Sequence, residues 1–90
     1  MTNNLFCKIF GRVQGVGYRA WAKRNAEKLN LTGWVRNCKD TSVEVEICGE
    51  KKKRDQFLKE CHKGPILSSV KKIDLYDKPY KDYKSFDILF

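Results

Sequence analysis

The sequence predicts an α+β fold, one sheet carrying two helices on a single face. Three observations predict it. Period-2 alternation marks strands early and in the middle of the chain: Leu5, Cys7 and Ile9 oppose Phe6, Lys8 and Phe10, and Val43, Val45 and Ile47 oppose Glu44, Glu46 and Cys48. Two amphipathic stretches lie between strands rather than side by side. The joints between them are short and punctuated by glycine, proline and Asx residues.

Each element follows in order. The first strand runs from Leu5 to Val13. Arg12-Val13-Gln14-Gly15-Val16-Gly17 is a glycine-punctuated loop. Tyr18, Ala22, Ala26 and Leu29 recur at helical spacing, which predicts a helix over about 19–30. Residues 30–33 end it, with Gly33 free to turn. Trp34 to Cys38 is a second strand, Lys39-Asp40-Thr41 a turn, and the segment around Val43 to Ile47 a third strand. Phe57, Leu58 and Cys61 are the apolar positions of a second helix over about 50–63, which Gly64-Pro65 stops. A strand from Ser69 to Tyr76, a polar Lys- and Tyr-rich loop over 77–84, and a short strand at Phe86, Ile88 and Phe90 complete the chain. The order is β-α-β-β-α-β plus a short C-terminal strand. That is the ferredoxin-like two-layer sandwich, an antiparallel sheet with two helices on one face, expected as a single domain over 1–90.

Composition narrows the function. Nineteen Lys+Arg against eleven Asp+Glu give a formal charge of +8, so an anionic partner is expected. No apolar run exceeds three residues, and the polar start lacks a signal peptide's pattern, so a cytoplasmic protein with no membrane partner is expected. Cys7, Cys38, Cys48 and Cys61 have no zinc-pair spacing and read as reduced thiols; strand parity sets Cys7 and Cys48 on opposite faces. His62 is the only histidine, so a metal cluster or a Ser-His-Asp site would rest on it alone. No metal and no cofactor are expected.

The chemistry concentrates in residues 11–19. A glycine-rich turn between strand and helix aims backbone N–H groups inward, and the helix that follows presents its unpaired N–H groups to the same spot. Arg19 can fold over that loop and grip a phosphate or carboxylate at two points. Gly15-Val16-Gly17-Tyr18-Arg19-Ala20 also satisfies the dinucleotide pattern G-x-G-x-x-A, with Asp40 about 20 residues on. That match is rejected, because the pattern needs parallel βαβ units and here the next two strands form a hairpin. No Gly-Lys-Ser/Thr follows, which excludes a P-loop.

Residues 9–19, Ile-Phe-Gly-Arg-Val-Gln-Gly-Val-Gly-Tyr-Arg, resemble the acylphosphatase signature. Gly33-Trp34-Val35-Arg36-Asn37, with Val43 and Gly49, resembles that family's second signature, and Lys63-Gly64-Pro65 and Phe86-Asp87-Ile88 also fit. The resemblance spans nearly the whole chain. It implies a metal-independent hydrolase that converts small anionic acyl phosphates to carboxylate and inorganic phosphate. It implies that Arg19 binds the phosphoryl group with the cradle Gln14, Gly15, Val16, Gly17 and Tyr18, and that Asn37 orients the attacking water. Three positions depart from the family pattern: Thr41 stands where Gly is usual, Cys38 where a hydroxyl residue often follows the asparagine, and Tyr18 where Phe is more usual. Thr41 predicts an altered hairpin turn, since a β-branched residue resists positive φ.

The rival reading is a non-catalytic ferredoxin-like module with an RNA or protein partner. On its open face Phe6, Phe10 and Trp34 would stack bases, yet Glu44 and Glu46 occupy the strand where stacking aromatics belong, so no nucleic acid is expected. Lys51-Lys52-Lys53-Arg54 opposes the helix dipole and reads as a solvated, steering face. The chain is expected to be a monomer.

Overall fold

The computed structural model describes residues 3–90. Its elements are β1 (Asn4–Arg12), α1 (Tyr18–Lys28), β2 (Thr32–Asn37), β3 (Val43–Cys48), α2 (Lys51–Cys61), β4 (Ser69–Lys78) and β5 (Phe86–Leu89). They form a five-stranded sheet in the order β4-β1-β3-β2-β5.

The alternation in β1 and β3 does what it predicts. Cys7 pairs with Val45 and Ile9 with Val43, and all four side chains are fully buried beneath the helices. Ala22 and Ala26 bring α1 close to the sheet, and Phe57 and Cys61 do the same for α2. Tyr18 starts α1 inside this core, its hydroxyl donating to the Cys61 carbonyl at 2.7 Å and so tying the start of α1 to the end of α2. Burial pushes the Cys7 thiol up to about 12 and the Tyr18 hydroxyl above its ordinary range, so both stay protonated.

Three expectations are corrected. The sheet is mixed rather than antiparallel: β5 lies parallel to β2, pairing Gly33 with Phe86 through Arg36 with Leu89. A long polar segment after β4 carries the chain to the far edge, and it arrives running with β2. Gly33 does not end α1. Asn30, at φ 58°, takes the left-handed turn, while Gly33 lies inside β2, where a Cβ would stand 1.8 Å from the Glu46 carbonyl oxygen. Thr41 does not resist positive φ; it takes 73°.

The open face is not a bare platform either. Trp34 Nε1 donates to the Tyr83 hydroxyl at 3.1 Å, and that hydroxyl donates to the Glu46 carboxylate at 3.1 Å. Phe6 packs edge-on against Trp34, with ring centres 6.0 Å apart. The segment after β4 therefore engages Trp34, one of the aromatics that would otherwise receive bases. Glu44 is neutralised by Arg36 and Lys8 rather than left to repel.

Candidate active site

The turn between β1 and α1 is built on two left-handed glycines, Gly15 at φ 74° and Gly17 at φ 81°. Gly17 caps α1 with no side-chain hydrogen bond, and its carbonyl accepts the first helical bond, from Trp21 N–H at 3.0 Å. Among the described residues, no backbone N–H from Gly15 to Ala20 reaches a protein acceptor. Exposed donors of this kind, in a turn that curls into a helix N-terminus, form a concave site for an anion.

Around them lies a cleft of about 210 Å³, lined by the turn, the first residues of α1, Asn37, Ile88 and Phe90. Arg19 stands on the first turn of α1 with no carboxylate partner among the described residues. Its guanidinium lies 5.1 Å from the centre of the Phe90 ring. Asn37 closes β2, pairing with Val43, and shares the strand parity of Val35, so it emerges on the helix side where the sheet ends. Its side-chain amide is exposed and makes no hydrogen bond among the described residues. Arg19, Gly15, Gly17, Tyr18 and Asn37 thus all line this one cleft.

Gln14 and Val16 serve differently from their neighbours. The Gln14 amide donates to the carbonyls of Cys38 and Ser42, at 2.8 and 2.9 Å, clamping the turn to the β2–β3 hairpin. Val16 packs against the core. Tyr18 offers the cleft its backbone, since its hydroxyl is committed to Cys61.

Beyond Asn37 a second hollow of about 480 Å³ shares Asn37 and Phe90 with the first. Its charges mostly satisfy one another. Lys8 lies 3.1 Å from Asp40 and 3.6 Å from Glu44, and Arg36 grips Glu44 at 2.7 Å. Asp40 accepts from the Ser42 backbone at 3.0 Å and from the Ser42 hydroxyl. Those bonds, then the Lys8 ammonium, hold its carboxyl down at about 2. Among the described residues no group of three or more His, Cys, Asp or Glu side chains is placed to hold a metal ion, and no helix is long and apolar enough to cross a membrane.

Sequence reasoning missed Ile88 and Phe90 as site residues. The available signal was the continued alternation Phe86, Ile88, Phe90, which keeps the last residue on the helix side. What it lacked was the strand order that sets β5 beside β2.

Comparison with known proteins identifies the family. The Acylphosphatase family model matches residues 5–88. An acylphosphatase of Legionella pneumophila (strain Paris) is 47% identical over 83 residues, covering 92% of this chain and 91% of that protein. An acylphosphatase crystal structure from Bacillus subtilis superposes with a TM-score of 0.94 at 30% identity, covering 97% of this chain and 98% of that one. One from Coxiella burnetii gives 0.93 at 30%, covering 97% and 92%. The chain therefore belongs to the acylphosphatase family, hydrolases that act on acyl phosphates.

Proposed function

We propose that this chain hydrolyses small acyl phosphates, with Arg19 and the backbone N–H groups of residues 14–19 binding the phosphoryl group and Asn37 orienting water. The unpaired N–H groups of the β1–α1 turn carry this reading. Each hydrogen bond to a charged oxygen contributes about 1.5–3 kcal/mol, so several of them and one guanidinium hold a phosphoryl dianion without further help.

The water oxygen bonds to phosphorus as the bond from phosphorus to the acyl oxygen breaks. The electron pair leaves with the carboxylate, and the proton of the water ends on a phosphate oxygen. The cleft lining supports this route. Its only ionisable side chains are Tyr18, held protonated and bonded to Cys61, and Arg19. Neither is a base near neutral pH, so the substrate's own oxygens take the proton. Acyl phosphates have a good leaving group, and for them a preorganised cradle and a placed water are sufficient. No step needs a metal or an organic cofactor. The four free thiols support a reducing compartment, and we propose that the enzyme works in the cytoplasm, as a monomer. The excess of Lys and Arg acts as a salt-screened field that draws in small anions.

The test is phosphate release from acetyl phosphate in the presence of a chelator. Wild type is expected to turn over. Arg19→Ala should lose about a thousandfold in kcat/KM and lose inhibition by inorganic phosphate. Asn37→Ala should lose about a hundredfold in kcat while phosphate still inhibits within about threefold. An Asn37→Ala enzyme with wild-type turnover would remove its assigned role.

A further inference from the structure

We infer that Phe90 is the acyl-side wall of this site, a specificity residue that favours acyl phosphates with a flat apolar acyl group over those with a small one. The inference rests on the acylphosphatase reading and adds the half of the substrate that the phosphate cradle does not address.

The β2–β5 register pairs Arg36 with Leu89, so the next step of the same parallel ladder sets Phe90 beside Asn37. On β5 the alternation puts Phe86 in the core and Ile88 against its edge. Phe90 continues that row past the end of the core and over the start of α1, where Arg19 stands. Its ring is fully exposed, so the core takes nothing from it. It nevertheless lines both the cradle cleft and the adjoining hollow. The Arg19 guanidinium approaches one ring face, 5.1 Å from its centre, and leaves the ring open to a ligand. Ile88 and Ala20 extend the apolar side of the same cleft. A phosphoryl group needs none of these three. They form an apolar shelf beside a polar cradle, and a substrate with an anionic end and an acyl end has one group for each. The neighbouring hollow does not compete for an apolar acyl group, because Lys8, Arg36, Asp40 and Glu44 line it with paired charges.

The experiment compares kcat/KM for benzoyl phosphate and acetyl phosphate in wild type, Phe90→Ala and Phe90→Tyr, with inorganic phosphate inhibition measured alongside. Wild type should prefer benzoyl phosphate. Phe90→Ala should lower the benzoyl-to-acetyl ratio about tenfold, the scale of one lost aromatic contact. Phe90→Tyr should restore it. An equal fall for both substrates, with weakened phosphate inhibition, would overturn the inference by making Phe90 a prop for Arg19. An unchanged ratio would overturn it as well. Failure of folded wild type to hydrolyse either compound would instead sink the acylphosphatase reading.

Discussion

The β1–α1 turn and the β2–β3 turn meet at the Gln14 amide, and they use their backbones in opposite ways. The first, over residues 13–17, places glycine at both left-handed positions and leaves its N–H groups free. The second, over residues 38–42, puts a β-branched threonine at φ 73° and satisfies itself: Cys38 N–H donates to the Ser42 carbonyl, Thr41 N–H to the Cys38 carbonyl, and Asp40 accepts twice from Ser42. A turn with unpaired donors binds. A turn with closed bonds holds its neighbour still, and here the neighbour is Asn37. The contrast separates two demands on one site, affinity for a phosphoryl group and fixed aim for a water.

Changing the open turn should have the largest effect. At Gly17 a Cβ meets nothing within 4 Å, so space is not the obstacle; the φ of 81° is. Gly17→Ala should cost about 1–2 kcal/mol of stability. Relief of that strain would rotate the peptide that presents the next N–H. Turnover of acetyl phosphate should therefore fall about a hundredfold and phosphate inhibition should weaken, while chemical denaturation shows a folded protein. Wild-type phosphate inhibition in this variant would mean that the turn's backbone does not bind the phosphoryl group.

Severing the link between the turns comes next. Gln14→Ala removes one donor from each of the Cys38 and Ser42 carbonyls, which keep a backbone donor each, so the cost is about 0.5–1.5 kcal/mol per bond lost. Because the clamp sets the two turns relative to each other, kcat should fall about tenfold with less change in phosphate inhibition. Equal losses in both would place the Gln14 side chain, and not only its backbone, among the phosphate ligands.

Much of this was legible in the residues. The alternation of β1 and β3 and the helical spacing of Tyr18, Ala22 and Ala26 are direct consequences of one buried face, so their elements follow. The Gly15-Val16-Gly17 turn followed by Arg19 announces an anion cradle for the same local reason. What stayed hidden depends on distant pairing. Nothing near Phe86 specifies whether its strand runs with or against β2, so the parallel edge and the place of Phe90 were out of reach. Gly33 reads as a helix stop because its reason, the close approach of the Glu46 carbonyl, comes from another strand. Gln14 shows no sequence sign that its amide spans to the hairpin.

The closed turn also carries a removable strain. A β-branched residue in the left-handed region costs about 1–3 kcal/mol, and glycine there gives back about 0.5–1 kcal/mol as unfolded-chain entropy. Thr41→Gly should therefore stabilise the protein by about 1 kcal/mol and raise Tm by about 5 °C. Activity should stay within about twofold, because the hydrogen bonds that fix the turn use the Thr41 backbone and the Cys38, Asp40 and Ser42 groups, and not the Thr41 side chain. A lowered Tm would mean that the threonine side chain stabilises the turn.

The smallest effect is a pH signature of the same turn. Asp40 titrates at about 2 in the folded protein, first because the Ser42 hydroxyl and N–H bond its carboxylate, then because Lys8 sits beside it. A carboxyl depressed by folding adds stability above its unfolded value near 4, and that stability drains away as pH falls from about 4 to about 2. Asp40→Asn should flatten this part of the stability-versus-pH curve. Salt separates the two causes. In 0.5 M sodium chloride the Lys8 contribution is weakened because Asp40 is exposed and Lys8 partly so, whereas the Ser42 bonds are short-ranged and persist. Most of the acid slope assigned to Asp40 should therefore survive high salt. A slope that vanished with salt would make Lys8, rather than Ser42, the group that closes the turn.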